Sequence, residues 1–212
     1  MVVDVDLATV AGARGVILVE GASDQAALEA LAARRGHDLA AGGIAIAAMG
    51  GATSIGHYLD LLGPRGRDVR LAGLCDAAEE GYFRRALQRA GMVNGPSPGG
   101  PQAGLARAAM EAAGFYVCEA DLEDELIRAL GAARVEDIID GQGELRSLRT
   151  FQKQPAQQGR TPEAQLHRFM GTRSGRKSLY ARLLAAALEP AGVPRPLDRV
   201  LTYAGRNRAR GH

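Results

Sequence analysis

Short apolar runs that alternate with helical patterns are the feature of this sequence that most restricts its fold. The run Val16–Val19 is uninterrupted rather than alternating, which is typical of a strand covered on both faces. Similar runs occur at Ile44–Ala48, Val69–Cys75 and Phe115–Cys118. Because helical patterns separate these runs, we predict an α/β fold in which a four-stranded parallel sheet lies between helices.

Helical spacing of apolar residues fills the segments between the runs. It occurs at Ala27, Leu28 and Leu31, at Ile55, Tyr58, Leu59 and Leu62, and at Phe83, Leu87 and Ala90. Further helices are predicted at Leu105–Ala113 and Leu122–Leu130. The stretch Asn94–Gly104 is rich in Gly and Pro, so we predict a loop there.

The strand signal ends near Gly143. Beyond it we predict helices near Glu144–Gln154, Pro162–Phe169 and Ser174–Leu188, then an irregular GVPRPL segment and an Arg-rich tail without regular structure. The sequence therefore predicts an α/β domain over residues 1–143 and a basic helical C-terminal extension over residues 144–212.

Charge is distributed unevenly between these two parts. Residues 1–145 contain 12 Lys and Arg against 21 Asp and Glu, whereas residues 146–212 contain 14 against 3. An acidic part joined to a basic part suits a protein that holds cations and binds a polyanion. The alternative is that the arginines only keep exposed helices solvated.

Several locations and classes of protein are disfavoured by the sequence. No apolar run approaches the roughly 20 residues of a membrane span, and the N-terminus carries acids where a signal peptide would carry basic residues. Cys75 and Cys118 each close an apolar run, which indicates buried thiols rather than a disulfide. We therefore predict a cytoplasmic protein that does not enter the membrane.

Acidic residues follow three of the predicted strands. Glu20 and Asp24 come after the first, Asp76 and Glu79 after the third, and Glu123 after the fourth. The carboxyl ends of parallel strands meet at one edge of a sheet, so these carboxylates should converge. Like charges repel unless a cation neutralises them, and oxygen ligands suit Mg²⁺. The pattern predicts a magnesium site, with Mn²⁺ as the alternative ion.

The order of these motifs resembles the TOPRIM domain that topoisomerases, bacterial primases and recombination proteins share. More narrowly, it is similar to the TOPRIM half of OLD-family (overcoming lysogenisation defect) nucleases, in which a GxxD element follows the first glutamate and a lysine lies in the helical extension. Here Glu20-Gly21-Ala22-Ser23-Asp24, Asp76, Glu123 and Lys177 match those elements. The resemblance implies a Rossmann-like TOPRIM fold over most of the chain.

The resemblance also implies roles for individual residues. Asp76 would bridge two metal ions, with Glu20 and Asp24 on one side and Glu123, together with Glu79, on the other. Lys177 would neutralise charge on the scissile phosphate, and Arg173 and Arg176 would bind neighbouring phosphates. The implied catalytic residues are Glu20, Asp76 and Lys177, and the implied activity is that of a metal-dependent DNA endonuclease or nickase.

Two departures from the family pattern leave other functions open. The family carries Asp-x-Asp, whereas this chain has Asp76-Ala77-Ala78, so the second aspartate is missing. OLD nucleases also carry an ABC-type ATPase domain, and the stretch GTRSGRKS at residues 171–178 fails as a P-loop because Arg176 replaces a required Gly. The alternatives are a non-catalytic TOPRIM module that binds nucleic acid or a separate ATPase, and a primase-like nucleotidyl transferase. DNA is favoured over RNA, and the oligomeric state stays open.

Simpler structural roles compete with the proposed ones. Ser23 or Asp24 can cap a helix, Glu79 can interact with a helix dipole, and Lys177 can be a surface lysine. In DLEDEL we predict that Asp121 is a helix cap and that Asp124 and Glu125 are solvated. The histidines His37, His57 and His167 show no metal-binding spacing, so we assign them no role.

Overall fold

Four parallel strands form the central sheet in a computed structural model, which describes residues 10–94 and 103–206. They are β1 (Gly15–Val19), β2 (Ile44–Ala48), β3 (Arg70–Cys75) and β4 (Phe115–Val117), in the order β2-β1-β3-β4. All three pairings are parallel. The predicted sheet is confirmed, and each strand begins and ends within about one residue of its predicted position because the buried runs have sharp borders.

Helices cover both faces of the sheet. In chain order they are α1 (Ala22–Arg34), α2 (Ile55–Leu62), α3 (Glu80–Arg89), α4 (Ala103–Ala112), α5 (Leu122–Leu130), α6 (Ala132–Gly141), α7 (Leu145–Gln152), α8 (Pro162–Met170), α9 (Arg176–Ala187) and α10 (Arg195–Gly205). Short 3₁₀ turns occur at Ala52–Ser54, Pro155–Gln157 and Pro190–Gly192. None of the helices in the described part of the chain has the length and apolar character needed to cross a bilayer.

Alternate residues of β1 enter two hydrophobic cores. Ile17 and Val19 pack with α1 and with helices of the C-terminal region. Val16 and Leu18 pack on the opposite face with α2, α3 and α4. Because both faces of the strand are buried, every position favours an apolar residue, which explains the uninterrupted run in the sequence.

The C-terminal helices share the core of the sheet. Helix α9 packs along α1, and α10 packs against β3 and β4. Leu184 and Leu201, which belong to these two helices, are buried in the same core as Ile17. The division of the chain at residue 143 stays a prediction about its organisation.

Two helices differ from the sequence-based expectation. Residues 195–205 form α10, although we predicted irregular structure there, and α6 was not predicted. Helix α10 buries Leu197, Val200, Leu201 and Ala204, which have helical spacing, while Pro196 is tolerated in its first turn. The helix was not predicted because two prolines and several arginines interrupt the apolar pattern in the sequence.

The remaining expectations fall in the loops. Ala103 and Gly104 begin α4 rather than ending a loop, and most of the predicted loop, residues 95–102, lies outside the described residues, as does the end of the tail, residues 207–212. Cys75 and Cys118 are buried free thiols, as predicted.

Candidate metal centre

The carboxyl ends of β1, β3 and β4 carry the acidic residues. Glu20 directly follows β1 and Asp76 directly follows β3, and these two strands are neighbours in the sheet. Pairing continues past β3 and β4, since the Cys118 N–H donates to the Cys75 carbonyl at 2.9 Å and the Ala77 N–H donates to the Ala120 carbonyl at 3.1 Å. The backbone therefore brings Asp76 beside the segment that starts α5.

Asp76 lies among four other carboxylates. Its side chain is half-buried, and the pKa of its carboxyl is raised to about 7, first by burial and then by the charges of Asp24, Asp121, Glu20 and Glu123. Like charges this close favour protonation or the binding of a cation. Asp76 is thus the most strongly perturbed carboxylate of this edge.

Glu20 and Asp24 lie on the β1 side of this cluster. Burial and the charge of Glu79 raise the pKa of Glu20, against the opposing charge of Lys177. The Glu20 Oε2 atom is buried, with no hydrogen-bond partner among residues 10–94 and 103–206. Asp24 Oδ2 accepts a hydrogen bond from the Gly21 N–H at 2.8 Å, so Asp24 supports the start of α1 while Gly21 is the N-cap residue. Burial nevertheless raises the pKa of Asp24.

Glu123 and Lys177 form an ion pair at the opposite side. Glu123 is 1% exposed, and the Lys177 ammonium lies 3.1 Å from its Oε2 atom. Burial raises the pKa of Glu123 although Lys177 opposes this, and in the described part of the chain its Oε1 atom has no hydrogen-bond donor. One half-exposed lysine therefore faces several carboxylates.

Asp121 and His167 join Glu123 in a group that the sequence did not indicate. Asp121 caps α5 as predicted, since its Oδ1 accepts from the Asp124 N–H at 2.8 Å, and its Oδ2 lies 2.7 Å from His167 Nε2. One ligand atom from each of Asp121, Glu123 and His167 lies within 4.8 Å of the others. The hydrogen bond to Asp121 raises the pKa of His167.

Comparison with known proteins gives one consistent result. Residues 13–77 match the family model of the overcoming lysogenization defect protein-like TOPRIM domain. The chain contains an OLD-like TOPRIM domain. No curated protein sequence matches it significantly.

Solved structures of OLD proteins share the fold of this chain. A C-terminal region of the Xanthomonas campestris pv. campestris OLD protein superposes with a TM-score of 0.70 at 25% identity, covering 91% of this chain and 95% of that chain. A second structure of that region gives 0.71 at 24% identity, covering 91% and 92%. The C-terminal region of the Burkholderia pseudomallei OLD protein gives 0.68 at 21% identity, covering 91% and 97%. The match includes the helical C-terminal part, which confirms the predicted fold class.

The segment after β3 lacks the second aspartate of the TOPRIM pattern, because Ala78 occupies its position. Ala78 is exposed and offers only a methyl group, and Glu79 is the N-cap residue of α3 while its charge also acts on Glu20. Glu80 is engaged elsewhere, because the Arg107 guanidinium lies 2.5 Å from its Oε2 atom. Glu79 is therefore the acid of this segment that faces the candidate site.

Arg176 requires a correction. We expected it to bind phosphate, but its side chain is only 4% exposed and donates to Glu144 at 2.8 Å, to Thr172 Oγ1 at 2.6 Å and to the Phe169 carbonyl at 3.3 Å. A guanidinium buried in this way is not available to a nucleic acid. Arg173 keeps an exposed side chain, at 69%, and lies 3.9 Å from Glu144.

Glu125 also differs from its expectation. It is buried rather than solvated, and it accepts from the Glu119 N–H at 2.8 Å and from Arg128 at 2.6 Å. It therefore stabilises the start of α5 and does not face the carboxylate cluster as a free ligand.

The residues present fit a divalent cation. TOPRIM domains generally bind such an ion, and this edge offers carboxyl groups with raised pKa. They include the buried Glu20 Oε2 and Glu123 Oε1 atoms, which have no hydrogen-bond partner in the described part of the chain. A hard cation takes oxygen ligands of this kind and would offset the repulsion among them. The roles of Glu20, Asp24, Asp76, Glu79 and Glu123 as ligands stay predictions.

Proposed function

We propose that this protein is a Mg²⁺- or Mn²⁺-dependent phosphodiesterase that cuts DNA at the carboxyl edge of its sheet. The observation that carries the proposal is the convergence of half-buried and buried carboxylates on Asp76, whose pKa is raised to about 7 by burial and by its four acidic neighbours. Strongly perturbed titratable groups of this kind cluster at functional sites.

The carboxylates at this edge would have different roles as metal ligands. Asp76 follows β3, which lies between β1 and β4 in the sheet, and the charges of acids on both sides act on it, so it would suit the role of a ligand shared by two ions. When bound, two such ions activate a water molecule and stabilise the leaving oxygen of a phosphodiester. The buried strands and α1 hold the carboxylates in place, so that little reorganisation accompanies the reaction.

Lys177 is the residue proposed to act on the scissile phosphate. Its ammonium is half-exposed at the start of α9 and is held at the edge by its ion pair with Glu123. Burial lowers the pKa of Lys177, but the negative charges of Glu123, Asp24 and Asp121 raise it by more than burial lowers it. The pKa therefore lies above its usual value, and the group stays charged. A fixed positive charge there would stabilise charge that builds on the phosphate in the transition state.

The basic C-terminal region supports DNA as the substrate. Residues 146–212 carry 14 basic residues against 3 acidic ones, and Arg173 projects into solvent near the start of the helix that carries Lys177. Phosphate contacts of this kind hold a nucleic acid without reading its sequence. A separate ABC-type ATPase as partner and a cytoplasmic location belong to the same proposal, the first resting on the OLD resemblance and the second on the buried free thiols.

One observation favours a second function, a TOPRIM module that binds nucleic acid or a partner without cutting. The exposed methyl group of Ala78 stands where the family pattern has its second aspartate, so one ligand oxygen is lost. Glu79, the next residue, is the replacement that the phosphodiesterase proposal requires.

Cleavage assays separate these two functions. Supercoiled, linear and single-stranded DNA are incubated with the protein and Mg²⁺ or Mn²⁺, and Asp76→Asn is compared with Asp60→Asn. Asp60 is a matched control because it lies on α2, its side chain is 69% exposed, and it pairs with Arg65. We expect cleavage by wild type and by Asp60→Asn, and a loss of at least about 100-fold in Asp76→Asn. DNA binding without cleavage under every condition would instead support the binding module.

A further inference from the structure

We propose that His167 donates a nitrogen ligand to the ion on the β4 side, so that this half of the centre prefers a first-row transition ion such as Mn²⁺ over Mg²⁺. The inference deepens the proposed function and rests on its metal centre. His167 lies on α8, in the basic C-terminal region, so the helical extension would complete the metal site rather than only bind DNA.

The spacing of the three ligand atoms fits one ion. Atoms of Asp121, Glu123 and His167 all lie within 4.8 Å of one another. Nitrogen and oxygen ligands about 2.1 Å from a metal lie about 3 to 4.2 Å apart. Only a small contraction is therefore needed for the three side chains to bind the same ion.

A second observation points to a ligand at this place. Glu123 is 1% exposed, and its Oε1 atom is buried without a hydrogen-bond partner among the described residues. Among the described residues, the ion pair of Glu123 is with Lys177, whose ammonium lies 3.1 Å from Oε2. A buried carboxylate with an unpartnered oxygen is costly unless a cation binds it, and Glu123 belongs to the group that includes His167.

His167 is held in position by the packing of two helices. Helix α8 packs against α5, which carries Glu123 and whose N-cap is Asp121. His167 Nε2 lies 2.7 Å from Asp121 Oδ2, while Asp121 Oδ1 is occupied by the Asp124 N–H. On binding, the hydrogen bond between the His167 imidazolium and Asp121 would give way to one bond from each residue to the ion. Nε2 would release its proton to solvent, and the neutral imidazole would keep its other proton on Nδ1.

The chemistry of the donors makes the two halves of the centre different. Glu20, Asp24 and Asp76 offer oxygen alone, which suits Mg²⁺. The β4 side adds an imidazole nitrogen, a ligand that first-row transition ions bind more readily than Mg²⁺ does. We therefore expect the nitrogen ligand from His167 to cause the preference for Mn²⁺ over Mg²⁺.

The test uses Mn²⁺ alone, without DNA. Pulsed electron paramagnetic resonance of Mn²⁺ bound to wild type should show modulation from a directly coordinated ¹⁴N nucleus, and this modulation should change to that of ¹⁵N when the protein is labelled with ¹⁵N-histidine. Wild type without nitrogen coupling would overturn the inference, and this result does not depend on any variant folding.

A pair of variants then measures ion selectivity. We compare His167→Gln with His37→Gln, because His37 is exposed in the loop after α1. We expect His167→Gln to weaken Mn²⁺ binding about tenfold or more and Mg²⁺ binding less than about threefold, while His37→Gln changes neither. Equal losses for both ions would show that His167 only positions Asp121 and would refute the selectivity.

The outcome is separable from that of the phosphodiesterase proposal. Nitrogen coupling in a protein that cuts no DNA would support this inference and oppose the enzymatic function. Cleavage of DNA by a protein whose bound Mn²⁺ shows no nitrogen coupling would support the enzymatic function and oppose this inference.

Discussion

Two clusters of buried charge in this protein differ in how their charges are balanced. At the carboxyl edge of the sheet, Glu20, Asp76 and Glu123 have raised pKa values. In the C-terminal helices, Glu144 accepts from Arg176 at 2.8 Å and from the Tyr180 hydroxyl at 2.8 Å, and these bonds lower its pKa although burial opposes them. We refer to them as the acidic edge and the Glu144 cluster.

The comparison shows what each cluster contributes. In the Glu144 cluster, donors and acceptors are matched, and the Arg176 guanidinium also lies 4.2 Å from the Phe169 ring centroid, so the cluster holds α7, α8 and α9 together. At the acidic edge, several carboxylates face one lysine, which costs stability unless a cation binds. The matched cluster has a structural role, and the unmatched one is the candidate for function.

The largest expected effect is on the Glu144 cluster. Arg176→Met should lower the free energy of unfolding by about 2–4 kcal/mol, because it leaves the Glu144 carboxylate without its main partner. The measurement is urea unfolding of the metal-free protein. The double variant Glu144→Gln/Arg176→Met should recover part of the loss, and a single variant as stable as wild type would contradict the structural role.

The next effect concerns turnover at the acidic edge. Lys177→Ala should lower kcat for DNA cleavage by about 100-fold with little change in DNA binding, because the charge acts on the transition state. Lys153→Ala is the matched control, since Lys153 is the other lysine of the chain and is exposed. Unchanged turnover in Lys177→Ala would reduce this residue to a surface lysine.

A smaller effect distinguishes the two clusters by their response to pH. The folded-state pKa of Asp76, about 7, lies above the ordinary value of 3.8, so the stability of the metal-free protein should fall as pH rises from about 4 to 7. Asp76→Asn should remove this contribution and raise Tm by about 2–4 °C at pH 8, with little effect at pH 4. Thermal unfolding in EDTA measures it.

The same experiment with added metal provides the control. Mg²⁺ or Mn²⁺ should raise Tm of wild type by mass action and should not raise Tm of Asp76→Asn. Glu144 has the opposite sign, since its lowered pKa gives stability that is lost as pH falls through its folded-state value. An identical metal response in wild type and variant would remove Asp76 from the ligand set.

The smallest effect concerns the exposed arginine beside the Glu144 cluster. Arg173→Ala should weaken DNA binding about two- to fivefold and reduce the salt dependence of binding by about one phosphate contact. Arg65→Ala is the control, because its side chain is 60% exposed and pairs with Asp60 in the acidic part of the chain. Equal salt dependence in both variants would place the DNA elsewhere.

Most of the fold could be predicted because burial on both faces leaves an uninterrupted apolar run. The four strands were found in this way, and their parallel arrangement followed from the helices between them. Helix α10 was missed because its apolar residues, such as Leu197 and Leu201, lie among prolines and arginines. Local composition there concealed a helix that its packing against β3 and β4 stabilises.

Within the site, prediction succeeded or failed according to distance along the chain. Glu20 and Asp76 could be found because each directly follows its strand. His167 was missed, because it lies 46 residues from its partner Asp121 and approaches it only through the packing of α8 on α5. No spacing rule in the sequence relates two residues that far apart.

The sequence by itself determined the order of strands and helices and the acids at the strand ends, because both are properties of short segments. Only the tertiary structure decided which side chains meet. Arg176 and Lys177 are neighbours in the sequence, yet one is buried against Glu144 and the other faces Glu123. Successive residues of a helix point about 100° apart, so the packing of α9 places one side chain inside the protein and the other at the acidic edge.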